Sequence, residues 1–132
     1  MRFMMFIKHT EDYAGKKAPA GLYEAMGEFV GAAIKSGAMV DGAGLMPTAK
    51  GTKIKLKSGQ ISVIDGPFTE SKEIVGGYAL MEVKSRDEAL EYAREFMELH
   101  RRHWPEFEGE CEMRPLEAEA QTPQGRANEQ SE

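Results

Sequence analysis

One cysteine, one tryptophan and three histidines are spread over 132 residues. A lone Cys111 cannot close an internal disulfide, and it stands between Glu110 and Glu112, which disfavour the thiolate that a nucleophile needs. His100 and His103 have helical i, i+3 spacing but no convincing third ligand nearby in sequence, so no metal site is expected. The nine methionines are scattered at core phases and read as flexible filler. No long apolar run and no basic-apolar-small leader are seen, and a soluble, cytoplasmic chain is expected. A net charge of -5 argues against general nucleic-acid binding. The charge is uneven: nine Lys/Arg against five Asp/Glu in residues 1–60, then eight against seventeen in residues 61–132.

What is present suffices for one domain, expected over residues 1–118, with a polar, disordered tail over 119–132. Arg2 to His9 alternates as a strand in which Phe3, Met5 and Ile7 face one side while Met4 and Phe6 face the other. Both sides are apolar, and each needs a cover. Pro19 fits the first turn of a helix whose apolar face is Leu22, Met26, Phe29, Val30, Ala33 and Ile34, ended by Gly37. Gly27 and Gly31 weaken that helix, which suggests a close backbone approach. Ala38 to Val40 is extended, and Asp41 to Pro47 reads as a glycine-rich bend at a pocket mouth, without the spacing of a phosphate loop.

Lys53 to Lys57, the Ser58-Gly59 turn and Ile61 to Ile64 form a hairpin. A two-residue turn pairs Lys57 with Gln60, Leu56 with Ile61, Ile54 with Val63 and Thr52 with Asp65. Asp65 therefore shares a side with Ile61 and Val63 and is expected to point inward. A further strand spans Val75 to Lys84, and Ser85-Arg86-Asp87-Glu88 is a capping box that starts a second helix. Its core side is Ala89, Leu90, Ala93, Phe96 and Met97, and it ends by Pro105. Glu110 to Leu116 is the last strand. The order is that of an α+β, ferredoxin-like split βαβ fold with an inserted β-hairpin. Two helices can cover only one sheet face, so the other is expected to meet a second copy, giving a homodimer.

Asp65-Gly-Pro-Phe-Thr-Glu-Ser-Lys-Glu73, followed by Gly76-Gly77-Tyr78, resembles the YCII-related superfamily and its DGPF branch. Arg2-Phe-Met-Met, Gly44-Leu-Met-Pro47 and Glu112-Met-Arg-Pro115 extend the likeness over residues 1–118. The resemblance implies a dimeric α+β barrel. It also implies a possible neighbour among extracytoplasmic-function sigma factors, which makes a sigma factor, or a ligand-sensing role linked to one, an alternative to a small-molecule pocket. Some relatives carry a His-Asp dyad with its histidine in the first helix. Here that place falls near Met26, so the dyad does not transfer.

The residues leave several roles open. Asp65, Lys8 and Glu24 are the candidates for weak acid/base work. The alternative for Asp65 is capping of its own turn, and for Lys8 it is snorkelling at a strand end. Phe68, Glu70, Lys72, Glu73 and Tyr78 are the candidate ligand-binding set, with a solvated loop anchored by Phe68 as the alternative. The His100 to Trp104 cluster is read as cations at a helix C-terminus. No cofactor is expected; a cofactorless or haem-linked monooxygenase rests on fold analogy alone, with only His9 placed near the sheet.

Overall fold

A computed structural model describes residues 1–10, 13, 18–68 and 73–117. Strand β1 (Arg2–His9) leads to helix α1 (Ala20–Ser36), β2 (Met39–Gly44), a short 3-10 turn (Thr48–Lys50) and the hairpin β3 (Thr52–Lys57) and β4 (Gln60–Asp65). Then come β5 (Ile74–Glu82), α2 (Arg86–His103) and β6 (Glu110–Pro115). The four-stranded sheet has the order β2-β5-β1-β6, and every neighbouring pair in it is antiparallel. This is α+β architecture with the ferredoxin-like arrangement, and the sheet is open. Strands β3 and β4 make a separate two-stranded sheet.

The period of two in β1 fixes which side chains meet the helices. Phe3 pairs with Met81 and Pro115, and Met5 with Ala79 and Met113. Phe3 and Met5 are buried with Ala38, Met81, Val83, Ala89 and Ala93 in the core. Replacing Phe3 by alanine would remove contacts worth about 3–5 kcal/mol at such a site. The alternate residues Met4, Phe6, Tyr78 and Leu80 share the opposite face and are only half-buried.

Helix α1 ends as its sequence requires, with Gly37 left-handed at φ 86 and its N–H donated to the Ile34 carbonyl. Pro19 precedes the helix as its N-cap rather than lying in the first turn. Leu22 and Ala33 are buried, but Ile34, placed by period on the apolar face, is 57% exposed. The expected close approach at Gly27 and Gly31 is not found, since a Cβ built on either meets nothing within 4 Å. Helix α2 has the serine half of its capping box, with Glu88 N–H donating to Ser85 Oγ at 3.2 Å, while Glu88 Oε2 accepts from the N–H of Lys84, one residue before the N-cap, at 3.0 Å. Residues 41–44, read from sequence as a bend, are part of edge strand β2, where the ladder with β5 overrides the low strand preference of glycine.

The hairpin register is the one the two-residue turn dictates, from Lys57 opposite Gln60 to Thr52 opposite Asp65. Its burial is not as expected. Ile54, Leu56, Ile61 and Val63 are 67–73% exposed, because β3 and β4 do not join the main sheet. The side that period two marks as inner therefore faces solvent.

Since nothing lies within 4 Å of a Cβ at Gly31, Gly31→Ala is expected to stabilise the fold by about 1 kcal/mol through helix propensity alone. Denaturant unfolding checks this through a higher midpoint at an unchanged slope.

Candidate functional site

A cavity of about 550 Å³ lies between the sheet and the two helices. The floor is the helix-facing side of the sheet, including Met5 and Ile7 of β1 and Met81 of β5. Met26, Phe29 and Val30 of α1 form one wall, and Tyr92, Phe96 and His100 of α2 the other. Phe29 joins the walls, with ring centroids 6.0 Å from Tyr92 and 6.1 Å from Phe96. Gly27 also borders the cavity, so the glycine that was expected to let backbones approach instead leaves open space.

One end is closed by rings. Tyr13 lies 5.5 Å from Trp104 and 5.0 Å from Phe107, and Phe107 lies 4.9 Å from His100, centroid to centroid. The Tyr13 hydroxyl donates to the Glu106 carbonyl at 3.0 Å. His9 has its Nδ1 2.8 Å from the Thr10 carbonyl, and its ring occupies the space that a Cβ at Gly76 would take. None of the described residues that wall the cavity is Asp, Glu, Lys or Arg.

His100 was read from sequence as part of a basic C-terminal cluster. It is instead 7% exposed, the buried polar residue of the described chain. Its Nδ1 lies 2.9 Å from the Phe96 carbonyl, one turn back. A carbonyl only accepts, so Nδ1 carries the proton and the neutral ring keeps Nε2 as an acceptor. Burial holds the imidazole pKa below its ordinary value, opposed by the Phe96 carbonyl. The sequence held the signal for this: the apolar series Ala89, Ala93, Phe96 continues by four to residue 100. Arg101, by contrast, turns outward and pairs with Glu98 at 2.6 Å. Cys111 also borders the cavity, and burial pushes its thiol up to about 11, which keeps it protonated and unreactive near neutrality.

The residues singled out for acid/base work do not converge. Asp65 is exposed and accepts from Thr52 Oγ1 at 3.0 Å across the hairpin, so its expected inward direction is corrected along with the burial of the hairpin. Lys8 is ion-paired with Glu112, which also pairs with Arg114. These pairings raise the Lys8 pKa and lower that of Glu112. Glu24 is exposed on α1. None of the three walls the cavity.

The motif residues also separate. Phe68 is buried at 8% exposure, its N–H donates to Thr48 Oγ1 at 3.2 Å, and Lys53 Nζ sits 4.3 Å above its ring. It is the anchor of the hairpin base. A Cβ at Gly66 would overlap the Thr48 carbonyl, and the Gly66 N–H donates to the Gly51 carbonyl at 2.9 Å. Glu73 is exposed. Tyr78 lies along the cavity floor in β5, but its side chain is on the outer face with Phe6, where its hydroxyl donates to Asp41 Oδ2 at 3.5 Å. Glu70 and Lys72 lie outside the described residues, as does the tail from residue 118.

With this fold and site in view, residues 1–98 match the YCII-related domain family, and the chain belongs to that family. It is also 34% identical over 83 residues to an uncharacterized protein of Rhizobium meliloti (strain 1021). That match covers 63% of this chain and 63% of the relative. Among the described residues no group of three or more His, Cys, Asp or Glu is placed to hold a metal ion. No helix of the described chain is long and apolar enough to cross a membrane.

The buried neutral His100 makes stability pH-dependent. Its folded pKa lies below the ordinary value while the unfolded value is about 6.5, so the unfolded chain binds the extra proton first. Stability is then full above about pH 6.5 and falls as pH drops through that value toward the folded pKa. Thermal melts between roughly pH 7.5 and 5.5 should show this loss, and His100→Phe should flatten it; the Glu112 contribution is lost only below about pH 4.5, outside that window.

Proposed function

We propose that this YCII-related protein binds a small, neutral, largely apolar molecule in the cavity between its sheet and helices, as a receptor or carrier. The observation that carries the reading is the wall itself: a space of about 550 Å³ bordered by aromatic and aliphatic side chains and by no charged residue among those described. Pockets for small organic ligands have this size and apolar character, with a few polar groups for orientation. A charged ligand would lose its hydration there without a partner charge. Asp65, Lys8 and Glu24 lie apart from this cavity and take no part in the proposed binding.

Trp104, the sole tryptophan, borders the cavity and reports occupancy. Titration with naphthalene should shift its emission saturably, and Val30→Trp, studied by calorimetry, should weaken binding by narrowing the space. Titrations with naphthalene and saturated bicyclic hydrocarbons that give neither heat nor a spectral change would overturn the reading.

A second copy of the chain belongs to this proposal. Its support is the outer sheet face, where Met4, Phe6 and Leu80 stand half-buried with both helices on the opposite side. Polar pairs, Arg2 with Glu82 and Lys8 with Glu112, flank that apolar centre, a composition typical of an interface core and rim. Sedimentation velocity at micromolar concentration should show a dimer. Leu80→Lys, which would bury an unpaired cation, should weaken association by about tenfold or more. A stable wild-type monomer at that concentration would sink the dimer.

A further inference from the structure

We infer that the ligand of this cavity is an aromatic molecule bearing a neutral hydroxyl group, and that His100 Nε2 accepts the hydroxyl hydrogen. The inference rests on the proposed binding role and narrows it to a chemical class.

Three observations carry it. His100 is more than nine-tenths buried and borders the cavity, and its Nδ1 is already committed to the Phe96 carbonyl at 2.9 Å. The tautomer this imposes leaves Nε2 as an acceptor, and among the described residues Nε2 has no hydrogen-bond donor. A buried acceptor without a donor is costly, and a ligand that supplies one recovers that cost. The imidazole is itself held by rings, 4.9 Å from both Phe96 and Phe107 between centroids, so a donor group reaching it brings its own framework among aromatic faces and edges. Flat rings suit such walls through offset and edge-to-face contacts.

The remaining polar groups bordering the cavity do not offer a better match for a donor. The Tyr13 hydroxyl donates to Glu106, and Cys111 is a weak acceptor held as the thiol. His9, with Nδ1 on the Thr10 carbonyl, also keeps Nε2 as an acceptor, but it is only half-buried and loses less by standing without a donor. A carboxylate or phosphate would face Nε2 as acceptor against acceptor. An ammonium would donate, but it would be desolvated without an opposing charge. A phenol-type hydroxyl is a strong donor that remains neutral near pH 7.

The test compares β-naphthol with naphthalene and with the methyl ether of β-naphthol by calorimetry on the full chain. The smaller hydrocarbon and the larger ether bracket the effect of size. The expected result is that wild type binds β-naphthol about tenfold more tightly than either comparator, and that His100→Leu reduces this preference to near unity while still binding naphthalene. Equal wild-type affinity for all three compounds overturns the hydroxyl inference and leaves the apolar-cavity reading standing. Failure of all three to bind overturns both. Should His100→Leu fail to unfold cooperatively, the wild-type comparison decides alone, since it needs no variant.

Discussion

The taper of α2 along its buried face is the constraint on which the site depends. At its N-terminal half the helix presents Ala89 and Ala93, which sit in one cluster with Phe3, Met81 and Val83. At its C-terminal half the same face presents Phe96 and His100, which border a cavity instead of closing on the sheet. Small residues at one end pack directly into the core, whereas the larger side chains Tyr92, Phe96 and His100 border the cavity. Phe29 of α1 packs against Tyr92 and Phe96, which ties the two helices together over the gap. The cavity follows from the choice of side-chain size along one helical face.

The nine-residue motif serves a different end of the molecule. Asp65 ties β4 to β3 through Thr52, Gly66 permits contact with the Thr48 carbonyl, and Phe68 fills the base of the hairpin beneath Lys53. These contacts join the hairpin to the turn at Thr48–Lys50. The described charges of the motif, Asp65 and Glu73, are exposed. Of the downstream glycine pair, Gly76 makes room for the His9 ring, and through it the end of β1 meets the aromatic cluster at the cavity end.

How much of this could be read in the sequence depends on whether the information was local. Strand alternation in β1, the serine cap at Ser85 and the register from Lys57–Gln60 to Thr52–Asp65 are set by residues a few positions apart, and each appears as its pattern requires. The burial of the hairpin is tertiary. Period two says that Asp65 shares a face with Val63, but not whether another layer covers that face. Gly27 and Gly31 illustrate the same limit, since a missing side chain indicates available space without saying whether it is filled. His100 is the instructive miss. Its neighbours Arg101, Arg102 and His103 suggested a solvated cationic cluster, whereas extending the series Ala89, Ala93, Phe96 by one helical turn places it on the buried face. Periodicity outranked local composition there, because a helix rotates each of four adjacent residues to a different environment.

Two surfaces of unlike character divide the work of the chain. Charges gather on the exterior: lysines along β3, acids on the exposed side of α2, and the Lys8–Glu112–Arg114 group at the sheet's outer face. The interior gap is left to rings, aliphatic groups and one imidazole whose tautomer is fixed by its own helix. That division has an energetic reason. An ion placed in the gap would need a partner and full hydrogen bonding to offset its desolvation, whereas a neutral histidine needs only one donor and one acceptor. Phe96 supplies the acceptor from within the helix. The donor is an interaction that the described protein does not provide for this buried ring, which makes Nε2 a point where a ligand's chemistry, rather than its bulk alone, can decide whether it is held.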